Sequence, residues 1–352
     1  MIRKMIWKCQ SPRIQQDSAS KRSIGLSGTG LRWELIVAAA SLSVVLFLEA
    51  PLLAQDKSAQ KLTEAYKLER EGKYAAAISL IRPLLDSGPL DPSSTGKAWD
   101  VLGMALKDQG NFDESRRAFE QSLQSYEASS NVTTDHATAL DDFGELYVLT
   151  GQLPLAERMM ERALHLYESA QDHAGVTRGS NYLAGVLLSQ NKVREGRKIL
   201  DHAVKESRRA DELGDDDLAT LASLQGWLAK LDGDLPTSIL KYQRSLELLR
   251  RYYGEEHAST GWAYVLLGKA RAESGDLSKS LAEMNAGLAI LGHTLNHRDP
   301  RFLTAEIAYS RVLESAGKSS EARSLRSEAE GEMKTFDRDQ CVDCTVSAKA
   351  FR

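Results

Sequence analysis

Cys341 and Cys344 form a Cys-x-x-Cys within the last twelve residues of this 352-residue chain. Thiols at that spacing close a disulfide, exchange disulfides, hold zinc or remain unpaired in a tail. In an oxidising compartment a disulfide is the plain expectation. Exchange chemistry needs a helix start within an α/β unit, and the sequence has none nearby. Zinc needs further ligands. His293 and His297 stand at a usable His-x3-His spacing, but their order relative to the cysteines is unusual for zinc. The other histidines are scattered, and no nucleophile elbow, phosphate loop or His-Glu-x-x-His occurs. Asp215-Asp216-Asp217 follows Gly214 and is expected to supply a helix N-cap and a partner for its dipole, with calcium as the alternative reading. Asn131-Val132-Thr133 matches a glycosylation sequon. These residues lead to no catalytic site, no metal centre and no cofactor.

The elements around them are more informative. Gly72, Gly110, Gly151, Asn191, Gly233, Gly275 and Gly317 recur at intervals of 38 to 42 residues. Seven residues before each stand Ala65, Gly103, Gly144, Ala184, Gly226, Gly268 and Ser310. Five residues after each stand Ala77, Ser115, Ala156, Gly196, Ser238, Ser280 and Ala322. Both columns hold only small residues. Helices approach closely where side chains are small, so the columns mark a repeated helix crossing. Before the turn the apolar residues keep one helical face, as in Trp99, Leu102 and Leu106, and after it they recur at helical spacing again. Glycine ends a helix in the left-handed conformation. Pro154 and Pro236, three residues past the turn residue, suit the first position of a second helix. Each unit is helix, tight turn, helix, too small to bury its own apolar face, and the units must stack.

The order Trp/Leu, Leu/Phe-Gly, Leu/Tyr, turn glycine, small, large, small resembles the tetratricopeptide repeat over residues 58–335. The unit is longer than the standard 34 residues. It is similar to the kinesin-light-chain type, as from Tyr253-Gly254-Glu255-Glu256-His257 into Trp262-Ala263-Tyr264-Val265-Leu266-Leu267-Gly268. The resemblance implies an all-α, right-handed superhelical solenoid of about seven antiparallel helix pairs with a concave groove. Some units depart from the pattern. Pro83 should kink or end the second helix of repeat one. Arg271 and Arg326 occupy columns that are usually apolar. The first and last units read as caps facing solvent on one side.

Residues 1–54 are of another kind. Residues 1–33 carry seven Lys/Arg and one acid, Asp17, before an uncharged, mostly apolar run from Leu35 to Leu48, followed by Leu52-Leu53-Ala54. A basic region, an apolar region and a small-residue end are expected to form an export signal cleaved after Ala54, or an uncleaved anchor at residues 35–48. The sequence thus divides into this leader, a solenoid over 55–335 and a tail over 336–352. Loss of the leader removes seven basic and three acidic residues and takes the formal charge from −4 to −8. A nucleic-acid partner needs a basic surplus, which is lacking.

The family resemblance implies that ligands lie along the first helix of each repeat, at 13, 10, 6 and 3 residues before the turn residue. Repeats two and three place Lys97, Asp100, Lys107, Asp141 and Glu145 there. Later repeats place Arg178, Asn181, Trp227, Lys230, Trp262, Lys269, Arg311 and Glu314. Arg178, Asn181, Trp227, Lys230, Trp262, Lys269 and Arg311 are the expected peptide-contact residues. The resemblance does not extend to the family's carboxylate-gripping Lys and Asn constellation. The expected function is a non-enzymatic, periplasmic or secreted scaffold binding a protein or extended peptide. An accessory subunit of an envelope enzyme or assembly, and a self-associating structural protein, are the alternatives.

Overall fold

All seven turn residues take left-handed backbone, from φ 63° at Asn191 to 89° at Gly275. The computed structural model describes residues 57–86, 90–129 and 134–340, which fall in one unit. In each turn the next N–H reaches back five residues to a carbonyl, as from Asn111 to Leu106 at 2.8 Å and from Asp276 to Arg271 at 3.0 Å. That bond satisfies a carbonyl which the ending helix leaves open. The sequon, the leader and the cysteine pair lie outside the described residues.

Every regular element among the described residues is a helix. They form seven pairs: α1 (57–70) with α2 (Tyr74–Asp86), α3 (Pro92–Asp108) with α4 (Phe112–Ala128), α5 (Thr134–Leu149) with α6 (Leu153–Ser169), and α7 (His173–Ser189) with α8 (Val193–Ser207). Then follow α9 (Asp215–Leu231) with α10 (Leu235–Tyr253), α11 (Ala258–Glu273) with α12 (Leu277–Thr294), and α13 (Pro300–Ser315) with α14 (Ser319–Gln340). None is long and apolar enough to cross a membrane. First helices also touch across repeats, α3 on α5, α5 on α7, α7 on α9 and α11 on α13.

The small columns are the crossing points. Ala65, Ala77, Ser115, Ala156, Ala184, Ser238, Ser280, Ser310 and Ala322 are fully buried. A β-carbon at Gly103 would stand 2.8 Å from the Phe119 ring, and one at Gly144 would stand 3.0 Å from Met160. Phe119, Met160, Tyr242 and Met284 share one register position and fill the space over the small residue. Ser115 Oγ donates to Gly103 O and Ser280 Oγ to Gly268 O, each at 2.7 Å, so the same crossing carries the same bond in two repeats.

The two misplaced arginines are accounted for by partners. Arg271 Nε donates to Glu283 Oε1 at 2.7 Å across its own helix pair. Arg326 takes the position of Phe119 and Met160, and donates to Ser310 Oγ at 3.1 Å and to Glu314 at 2.5 Å. A serine in the small column supplies an acceptor that glycine lacks.

Three local expectations need correction. Pro154 and Pro236 occupy the second helical position, after Leu153 and Leu235, where a missing N–H is equally harmless. Pro83 sits inside α2, which continues to Asp86, so the helix does not end at the proline. The acidic run does not cap α9. Gly214 is the N-cap, without a side-chain bond, and the three aspartates fill the first turn. There they face the helix dipole; Asp215 pairs with Arg251 within its own helix pair, and Asp217 links to Arg178 in the preceding repeat.

The last repeat is not a solvent-facing cap, because it meets repeat two. Arg301 on α13 donates to Asp108 at the end of α3 at 3.0 Å, while Asp299 holds the same guanidinium at 2.8 Å. Phe336 on α14 packs edge-on against Phe112 with ring centroids 5.4 Å apart. Leu303, Ala329, Met333 and Phe336 belong to the same apolar core as Leu106, Phe119 and Ala137. Midway round, Arg70 on α1 lies 4.4 Å over the Tyr252 ring at the end of α10. Repeats two and seven, far apart in sequence, are thus brought together, and the first helices of repeats two to five carry buried polar residues.

Candidate functional site

The concave residues divide into two populations. In repeats two to five many are consumed by a ladder between successive first helices. Lys97 pairs with Asp135 at 3.5 Å and Lys107 with Glu145 at 2.5 Å. Arg178 holds Asp217 through Nε and Nη2, both at 3.2 Å, and Asn181 Nδ2 donates to Asp217 O at 3.1 Å. Lys230 pairs with Glu273 at 2.9 Å. The bidentate Arg178–Asp217 pair fixes the α7–α9 register, since planar guanidinium and carboxylate match in only a few orientations.

Beyond the ladder, Lys269 and Arg311 have no carboxylate within ion-pair distance among the described residues. Burial, and then Lys230, depress the Lys269 amine to about 8. Arg311 is exposed. Trp227 and Trp262 are half-buried, each packed at the edge of an apolar cluster with part of its indole left open. The later interior thus offers free cations beside aromatic surface.

The early interior has the opposite character. Glu69, Asp100, Asp108, Asp142 and Glu145 crowd against Lys107, and Asp141 lies beside Asp142 and Arg178. Burial raises Asp142 to about 7 and, together with Asp108, raises Glu69 to about 8. Burial also pushes Asp100 and Asp141 well above the usual carboxylate range. His257, buried near Asp108 and stacked on Tyr253 at 4.1 Å, is held neutral with its pKa lowered to about 4.

Outside this interior, α6, α7 and α8 enclose a hollow of about 380 Å³ lined by Glu168, Gln171, His173, Val176, His202 and Glu206. Glu206 is buried, bonded to His173 at 2.8 Å and to Arg209 at 3.0 Å. That pairing holds the carboxylate's pKa low, though burial opposes it. No group of three His, Cys, Asp or Glu among the described residues could hold a metal ion.

The family model for the tetratricopeptide repeat matches residues 94–169, the span of α3 to α6. The same turn and the same crossing recur through all seven pairs. The described residues form a stack of tetratricopeptide-like helix pairs. Neither the match nor the structure distinguishes the kinesin-light-chain subtype. Among curated proteins, Protein FlbA of Caulobacter vibrioides is 26% identical over 231 residues, 66% of this repeat protein and 33% of FlbA. The chain therefore spans about a third of that relative. Among solved structures, NprR in complex with its cognate peptide NprX aligns over 88% of this chain and 90% of its own, at 12% identity and a TM-score of 0.59. A Rap protein complexed with competence and sporulation factor aligns over 82% and 100%, at 13% identity and a TM-score of 0.57. At such identities the likeness is one of fold.

Several interior residues of this repeat protein escape a reading by family columns. Asp142 and Tyr182 stand one position past the expected contact column, so only a second column would have found them. Glu69 belongs to the expected column three residues before the turn, in repeat one. The Asp108–Arg301 and Arg70–Tyr252 contacts join residues far apart in sequence and have no local signal.

Proposed function

We propose that this tetratricopeptide-like repeat protein is a non-enzymatic scaffold that binds an extended peptide or protein segment in its concave interior. The observation that carries the reading is the free Lys269 and Arg311 beside Trp227 and Trp262. Arginine and aromatic side chains are the groups that most often dominate binding energy, and a rigid repeat stack presents them with little rearrangement. The peptide held by NprR, a neighbour in fold, agrees with it. Export through residues 1–54 to the periplasm, with loss of the leader, completes the proposal.

The test is affinity capture from envelope extract with mass spectrometry, comparing wild type with Trp227→Ala plus Lys269→Ala and with Lys269→Glu alone. Loss of two such contacts costs about 2 kcal/mol or more, so recovery of the partner should fall at least ~30-fold. Lys269→Glu removes no packed ring and keeps the experiment informative if the tryptophan variant folds poorly. An unchanged partner set in both variants defeats this site.

A further inference from the structure

Three successive repeats carry a buried acceptor short of donors at one register position, ten residues before the turn residue. Asp141 on α5 is wholly buried, and apart from the nearby Tyr167 hydroxyl neither carboxylate oxygen has a hydrogen-bond partner among the described residues. Asp100 on α3 is 5% exposed with Oδ1 unpaired, and Asn181 on α7 is 2% exposed with Oδ1 unpaired. Asp142, beside Asp141 and 9% exposed, leaves Oδ2 unpaired. Buried acceptors are nearly always satisfied, so such a row marks missing donors.

The neighbouring cations do not fill the gap. Lys107 is committed to Glu145, Arg178 to Asp217, and Arg301 to Asp108 and Asp299. Carboxylates outnumber cations in this part of the interior, and burial raises the pKa of Asp100, Asp141 and Asp142. What the row lacks is a donor that also brings positive charge.

Resting on the peptide-binding reading above, we propose that repeats two to four recognise a basic side chain of the bound segment, with Asp100 and Asp142 receiving it and Asn181 receiving a neutral donor further along. Arginine fits better than lysine. Its planar fork carries five donors and is more weakly hydrated than an ammonium, so it loses less on entering a site shielded from water. Adjacent first helices lie about 8–10 Å apart. An extended peptide advances about 3.3 Å per residue, so the neutral donor falls about three residues from the arginine. The free cations of repeats six and seven then suit an acidic or carboxylate-bearing end of the same segment. The interior has a polarity, and the ligand is bound in one direction.

The test uses the full chain on an array of random hexapeptides. Wild type should enrich arginine at least tenfold over citrulline, which keeps the donors and loses the charge. Asp100→Asn plus Asp142→Asn should abolish the preference for arginine while other peptides are still bound. Bound hexapeptides with no excess of basic residues overturn this assignment and leave the groove reading standing. An arginine preference that survives in the double variant also overturns it. An array on which neither protein retains any peptide overturns the groove reading and this assignment with it. Circular dichroism of the double variant separates lost recognition from lost fold, and Asp142→Asn alone provides the second variant.

Discussion

Gly268→Leu should remove about 3 kcal/mol or more of folding stability and melt repeats six and seven first. A β-carbon there overlaps the Met284 side chain and stands 3.2 Å from Ser280 O and 3.3 Å from Met284 N. A side chain alone could swing aside. Met284 is fully buried, and the Ser280 carbonyl already accepts the helix it belongs to, so the α11–α12 crossing itself must open. Cores close-packed to crystal density have no slack for a leucine. Urea titration followed by far-ultraviolet dichroism measures the effect. Gly331→Ala in α14 is the opposite control, because nothing lies within 4 Å of its β-carbon. There the better helix former should be neutral or stabilising by up to ~1 kcal/mol. Equal stability of Gly268→Leu and wild type contradicts the nesting of helices on small residues.

Asp142→Asn should stabilise the protein relative to wild type, and increasingly so as the pH rises. The folded wild type holds the Asp142 proton up to about pH 7, whereas the unfolded chain releases it near 3.8. Between those values the folded state binds more protons, so its stability falls with rising pH and the loss is complete above about 7. Asparagine has no proton to lose. The stability difference between variant and wild type should therefore grow by on the order of 2–4 kcal/mol between pH 4 and pH 7.5. Glu69, Asp100 and Asp141 act in the same direction, and neutral His257 acts against them. These groups are present in both proteins and largely cancel in the difference. Urea midpoints of both proteins at four pH values measure it. A difference that stays flat with pH shows that Asp142 is ionised in the folded state.

The fold was legible because it is written seven times. Left-handed turn residues and paired small columns impose a geometry that one sequence displays repeatedly, and the structure keeps all seven. Arg271 and Arg326 were legible only as anomalies, since their partners Glu283 and Ser310 lie on the other helix of the pair. The contact columns located Arg178 and Asn181 but not Asp217, which lies in the next repeat and accepts from both. The meeting of α3 with α13 was not legible at all. It results from a small rotation per repeat summed over the whole stack, and no local residue records that sum.

The most direct test of the central claim places a photocrosslinking phenylalanine derivative at Trp262, facing the interior, and in a second protein at Leu240, which is 63% exposed on α10. The account predicts that irradiation in the native envelope traps the same partner through position 262 and not through position 240. Trapping through position 240 alone, with position 262 silent, contradicts a function carried by the concave interior.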